Sequence, residues 1–358
     1  MAHDYNKKHF LILRLSSIGD VLHATPVARQ LKKRHPHCRI TWLASPPASE
    51  LLASNPDIDE LLLWDRRPFD RAAAAHRYLQ AKRHLDALKP IFAEKKFDIV
   101  LDIQCLFLTG LIAKMSRAPR RIGIHDRHEF NHLFMTERAP AIESQHKLLR
   151  YLSALVPLGI PLPDPKDSPD AVMPMLRLPK RLDGYAAAFW QAHGIDCSRP
   201  ILMVNTRTSW PNKNWATASF AAALTDLPER LQIVFSGAPG DKHFIEEVQQ
   251  GMGRPSLSIA GEPDLLELAA LFRSASLLFT GDTGPLHIAA AVGTPTLSLW
   301  GPTSPAMYGP LAGNHIFLCS PAACNGCNKT HCKRGTDECM AAITPQMAEE
   351  KLRQFFRL

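Results

Sequence analysis

No uninterrupted apolar run in this 358-residue sequence approaches the roughly 18–20 residues that a membrane-crossing helix needs. Near the N-terminus the apolar run is only Phe10–Leu13 before Arg14 interrupts it, too short for a secretory signal core, and no small-residue cleavage site follows. A cytoplasmic protein is therefore expected. The sequence has no short-period repeat and no low-complexity tract. Neither a helix-turn-helix nor an RNP pattern occurs, which counts against nucleic acid as a partner. Hydrophobic residues at 46% and charged residues at 21% exclude wholesale disorder. At roughly 150 residues per domain, the length predicts two domains, each able to bury a core.

Charge is present and uneven. The net +8 divides into 26 basic and 19 acidic residues over positions 1–175, and 16 and 15 over positions 176–358. Nearly all the excess thus lies in the first half. Either that half meets an anionic partner or it simply carries a solvated basic surface. Three of the eight cysteines are scattered, and five cluster late, at Cys319, Cys324, Cys327, Cys332 and Cys339. Without a secretion signal, a disulfide scaffold is disfavoured against a metal site or reduced thiols.

The order of elements reads as strand and helix in alternation. Phe10–Leu15, Arg39–Ala44, Glu60–Trp64 and Asp98–Asp102 have the apolar, β-branched character of buried parallel strands. Between them lie predicted helices over Val21–Arg34, with Pro26 predicting a late start or a kink, Ser49–Asn55 and a long tract Arg71–Lys95. Pro157–Pro179 is rich in Pro and Asp and is the best hinge. After it strands are expected at Ile201–Asn205, Gln232–Ser236, Leu277–Thr280 and Thr296–Trp300, alternating with helices. The α/β pattern predicts two Rossmann-like, doubly wound halves, 1–175 and 176–358, with a ligand cleft between them.

Three segments carry chemistry. Phe279–Pro302 places Gly281-Asp282-Thr283-Gly284 at a strand end, with Pro285 opening a helix and His287 one turn in. Such a turn either cradles a phosphate on free N–H groups or is an ordinary capped junction. Val204–Trp215 brings Thr206, Arg207, Thr208 and Lys213 to the edge where open α/β sheets bind ligands, unless these are plain solvated loop residues. Leu15–Pro26 sets Asp20 beside Gly19 at a helix start, as a cap or as a general base.

Taken together and in this order, these segments resemble glycosyltransferase family 9, the ADP-heptose:lipopolysaccharide heptosyltransferases. The resemblance runs from LILRLSSIGDVLHATPVARQLKKRHP, through HKLLRYLSALVPLGIP and TSWPNKNW, to FTGDTGPLHIAAAVGTPTLSLWGPTSP. It implies a GT-B fold of two Rossmann-like domains facing each other across a cleft, with acceptor bound by 1–175 and ADP-sugar by 176–358. By the same resemblance Asp20, in the SxGD motif, is the base that deprotonates the acceptor. Lys213, in K-x-W, stands beside the donor phosphates, and Thr206 supplies a donor contact. Asp282, Thr283, Gly284 and His287 match the D-T-G-x-x-H motif that binds the ADP part. The family's ribose-binding carboxylate has only an offset counterpart here, Asp241 in SGAPGDKHF.

The implied reaction is inverting heptosyl transfer, with charge building on a pyrophosphate that N–H groups, Thr283 and Lys213 stabilise. No cofactor and no catalytic metal are expected, since these groups carry the diphosphate. The implied acceptor, the acidic inner core of lipopolysaccharide at the cytoplasmic membrane face, gives the basic half a partner. Lys32-Lys33-Arg34, Arg66-Arg67, Lys82-Arg83 and Arg117/Arg120/Arg121 are candidate contacts. Cys324-x2-Cys327-x4-Cys332-x6-Cys339 leaves a structural zinc site open beside reduced thiols. Two other readings are a GT-B transferase using another nucleotide sugar and a non-catalytic basic binding protein.

Overall fold

A computed structural model describes residues 4–125, 128–335 and 338–358. The chain divides into two compact units, Met1–Met175 and Leu176–Leu358. No helix among the described residues is long and apolar enough to cross a membrane.

The first unit is built on a six-stranded, all-parallel sheet in the order β3-β2-β1-β4-β5-β6. Its strands are β1 His9–Leu13, β2 Arg39–Ala44, β3 Glu60–Leu63, β4 Ile99–Asp102, β5 Arg120–Gly123 and β6 Glu137–Arg138. The second unit repeats this plan with β12-β11-β10-β7-β8-β9, formed by β7 Ile201–Asn205, β8 Gln232–Ser236, β9 Leu257–Ser258, β10 Leu277–Gly281, β11 Thr296–Trp300 and β12 His315–Cys319. In each unit the order reverses beside the first strand, which is the Rossmann arrangement. The central strands β1, β7, β10 and β11 are buried along their whole length, as expected of parallel strands covered on both faces. Each Leu, Ile or Phe they bury contributes roughly 1.5–3 kcal/mol. In the second unit Trp215, Phe220 and Phe279 pack ring against ring, with Trp215–Phe220 centroids 4.9 Å apart and Phe220–Phe279 centroids 5.2 Å apart.

Two expected elements differ. The first helix, α1, runs unbroken over Ile18–Arg34 with Pro26 inside it. Pro26 lacks the N–H that would bond the Leu22 carbonyl, but the Thr25 hydroxyl donates to that carbonyl at 2.8 Å. The local substitute removes the reason for a late start. The tract expected as one helix over Arg71–Lys95 is three: α2 Arg67–Ala74, α3 Tyr78–Asp86 and α4 Leu88–Lys95. His76 adopts a positive φ of 56° between the first two. Pro90 in the first turn of α4 cannot donate to Asp86, so a helix continuous with α3 would lose that bond. Two further helices of this unit matter below, α5 Phe107–Met115 and α6 Lys147–Leu152.

Candidate functional sites in the two units

In the first unit the chain leaves β1 and enters α1 through Arg14–Ser17, placing Asp20 in the first helical turn. The Ser17 side chain makes no cap bond to this helix, and the bonds of the Asp20 carboxylate described below are all to side chains. Its Oδ2 meets Arg14 Nη2 at 2.7 Å and accepts from the Ser17 hydroxyl at 2.9 Å. Its Oδ1 accepts from the Tyr151 hydroxyl at 2.6 Å. Arg14 and Tyr151 are both buried, and the guanidinium lies 4.9 Å from the ring centroid of Tyr151. Burial alone would raise the Asp20 carboxyl, but Arg14, the Tyr151 hydroxyl and Lys147 together hold it well below the usual carboxylate range. The Tyr151 phenol is pushed above its ordinary value by burial, with the Asp20 charge adding to the shift. Asp20 is therefore an ionised carboxylate with one oxygen paired to the Arg14 cation and the other accepting from the neutral Tyr151 hydroxyl.

The loop under this carboxylate is fixed by a second network that the sequence motifs do not mark. Gln104 Oε1 accepts from the backbone N–H of Leu15 at 2.7 Å and of Ser16 at 3.4 Å. Asp102, fully buried at the end of β4, accepts from the Gln104 and Cys105 amides and from Asn131. Arg14 and Tyr151 also escaped sequence reasoning. Tyr151 lies in α6, 131 positions from Asp20, and only the folded sheet brings it near.

In the second unit Lys213, Asp282, Thr303 and His287 converge. Lys213 Nζ lies 2.6 Å from Asp282 Oδ2, and both side chains are nearly buried. Thr303 donates to the same oxygen at 2.7 Å, while His287 Nε2 is 3.7 Å from Oδ1. Burial opposes ionisation of Asp282, but His287 and Lys213 more than compensate and hold it well below the carboxylate range. The Lys213 ammonium also lies 4.1 Å from the Trp210 ring centroid. Asp282 thus positions the lysine and the histidine. Thr283 follows it as N-cap of the helix Gly284–Ala291, whose N-terminus has no side-chain cap, and Thr283, Gly284 and Pro285 are partly exposed. The Lys213 charge and the open helix end lie side by side.

The Val204–Trp215 loop has its own frame. Asn205 donates to the Arg207 carbonyl at 2.7 Å, and Thr208 bonds Trp210 and Asn214. The Thr206 hydroxyl is buried and has no hydrogen-bond partner among the described residues. Asp241 accepts from the Ala238 amide at 2.8 Å and so closes its own turn.

The late cysteines form no disulfide. The Cys339 thiol is raised by burial and by the nearby Cys324, Cys327 and Cys332, yet no group of three or more metal-ligating side chains is assembled among the described residues. Of the candidate basic contacts, Arg120 is tied to Glu137 and Tyr5, and Arg121 to the carbonyls of Phe134 and Ala118. Lys32 bonds Asp59 and the Cys38 carbonyl. These three hold the unit together.

The family model for glycosyltransferase family 9 (heptosyltransferase) matches residues 87–336. The chain belongs to this family. As a family 9 enzyme it is a glycosyltransferase, and its fold is GT-B. The chain is 26% identical over 308 residues to the lipopolysaccharide core heptosyltransferase OpsX of Haemophilus influenzae, covering 85% of this chain and 82% of that one. Among solved structures, a family 9 glycosyl transferase from Veillonella parvula aligns with a TM-score of 0.85 at 24% identity, over 100% of this chain and 99% of that one. The ADP-heptose lps heptosyltransferase II of Escherichia coli aligns with a TM-score of 0.75 at 20% identity, over 98% of both chains.

Proposed function

We propose that this family 9 enzyme transfers heptose from ADP-heptose to the inner core of lipopolysaccharide with inversion at the anomeric carbon. The unit 1–175 binds the acceptor and 176–358 the donor. The observation that carries this reading is the Lys213 ammonium beside the uncapped N-terminus of Gly284–Ala291, a paired charge and dipole suited to a departing diphosphate. Lys213, Thr283 and the Gly284 amide receive the ADP phosphates, and Asp282 holds the lysine and His287 in place. Thr206 offers a sealed hydroxyl that a donor oxygen would satisfy.

Attack by the acceptor hydroxyl requires removal of its proton, and Asp20 takes it. The low basicity imposed by Arg14 keeps the carboxylate ionised, and Oδ1, which accepts from the neutral Tyr151 hydroxyl, is the oxygen that accepts the proton. The C–O bond to ADP breaks as the new glycosidic bond forms, and the negative charge passes to the diphosphate at Lys213. Lysine and backbone dipoles carry that charge, so no divalent ion is required. The basic excess of the first half suits a phosphorylated, acidic acceptor presented at the cytoplasmic membrane surface, where the enzyme binds peripherally.

The test is ADP release from ADP-heptose with acceptors truncated at successive inner-core sugars. One truncation should support turnover, the product should show the inverted anomer by NMR, and EDTA should leave the rate intact. Turnover with a uridine-linked hexose in place of ADP-heptose would replace the donor assignment. Loss of activity in chelator, restored by a divalent ion alone, would overturn the metal-free mechanism.

A further inference from the structure

Most of the uneven charge comes from one short stretch. Residues 66–96 contain nine Lys or Arg against three Asp or Glu, a net +6 of the whole chain's +8. This stretch is α2, α3 and α4, and its connecting tip, positions 74–80, is exposed at every residue. A basic tip would be unremarkable if its apolar residues were turned inward. They are not: Tyr78 and Leu79 are 65% and 76% exposed.

Behind the tip, α2 and α3 meet α5 along an open groove of about 680 Å³ with an almost wholly apolar lining, including Phe69, Tyr78, Phe107, Leu111 and Met115. Phe107, at the start of α5, is half-exposed and packs edge-on against Phe134. The segment bearing Phe134 also presents Phe130 and Leu133 to solvent. Of the large apolar side chains exposed among the described residues, Tyr78 and Phe107 line this groove, and Leu79 adjoins Tyr78 in the chain. Arg66, Lys82 and Lys89 stand on its rim with Asp86 and Glu129, Lys82 and Lys89 pairing with Asp86 and Arg66 with Asp70, while Arg71, Arg77 and Arg83 are exposed on the same helical stretch and keep its balance positive.

We propose that this face docks on an anionic phospholipid bilayer, with Tyr78, Leu79 and Phe107 entering the interfacial layer and the surrounding arginines and lysines contacting lipid phosphates. The combination decides the occupant. A cationic rim around exposed Tyr, Phe and Leu is the composition of an interfacial anchor, with the aromatic ring at headgroup level and the positive charges drawn to an anionic leaflet. A second copy meeting the same face would oppose two surfaces of like, positive balance, which disfavours self-association. The inference rests on the reading that the acceptor is a membrane glycolipid, and it names the surface that would bring the first unit to it.

The experiment is co-sedimentation of the full chain with vesicles, which needs neither donor nor turnover and so stands or falls apart from the reaction. Binding to phosphatidylethanolamine–phosphatidylglycerol vesicles should exceed binding to pure phosphatidylcholine by at least ~10-fold and weaken in high salt. Two variants, Tyr78→Ser/Leu79→Ser and Arg71→Gln/Arg77→Gln, change only exposed side chains and should each cut the partition coefficient ~10-fold, with thermal melts unchanged. Equal binding to both vesicle types, or variants that bind as the parent does, overturns the proposal. So does a dimer in analytical ultracentrifugation that Tyr78→Ser/Leu79→Ser dissociates while vesicles bind nothing.

Discussion

Lys213 Nζ and Asp282 Oδ2 are 2.6 Å apart, so two residues 69 positions apart in sequence act as one group. Removing either partner strands a nearly buried charge, a loss of about 3–5 kcal/mol in such pairs. Lys213→Met and Asp282→Asn should therefore both weaken ADP binding by calorimetry, although in the proposed reaction it is the lysine that meets phosphate. A double-mutant cycle should be strongly non-additive. Additive losses would show that the two act separately.

Asp20 should be separable from binding. Asp20→Ala should lower kcat by about 10²–10⁴ and leave ADP affinity unchanged. An unaltered kcat would remove the carboxylate from the chemistry.

Arg14 sets the basicity of that carboxylate. With Arg14→Met the burial penalty stays and the compensating cation goes, so the Asp20 carboxyl rises. The acid limb of kcat/KM should move upward by about one pH unit or more, since removal of a close cation shifts a carboxyl by about that much. An unmoved limb would mean another group controls it.

Depressed carboxyls also make stability depend on pH. Asp20 and Asp282 both have folded values below their unfolded ones, so their contribution is complete above the ordinary carboxylate range near about 4 and is lost as pH falls through the folded values. Urea midpoints should thus fall steeply below about pH 4, and Asp282→Asn should flatten that dependence. A variant that retains the parent's slope would refute the assignment.

A Cβ on Gly281 would sit 2.9 Å from Thr208 Cγ2. Thr208 cannot swing aside cheaply, because its hydroxyl bonds the Trp210 carbonyl and Asn214. Gly281→Ala should displace the loop that carries Lys213, costing about 1–3 kcal/mol in stability and weakening ADP binding. Melting and calorimetry on the same variant check both.

Much of this architecture is legible in the sequence because it is local. Arg39–Ala44, Ile201–Asn205, Gln232–Ser236 and Thr296–Trp300 are strands at the bounds their apolar runs mark. Asp20, Lys213 and Asp282 are legible because each lies in a short motif at a strand end. What is not legible is pairing across distance. Nothing near Asp20 announces Tyr151, and nothing near Lys213 announces Thr303, because those contacts exist only once parallel strands bring their C-terminal ends together. The tract 71–95 misled for a different reason: its composition favours helix throughout, while a positive φ at His76 and the missing donor of Pro90 divide it.

The Thr25 hydroxyl that completes α1 also accepts from the amide of Met175, and Arg29 and Gln30 donate to the carbonyls of Asp170 and Ala171. The helix that carries Asp20 is thus covered by the last residues of its own unit, about 150 positions later in synthesis. A ribosome-bound chain that has emerged only through the first five strands still lacks this cover. The carboxylate helix is among the first elements made and among the last to be closed.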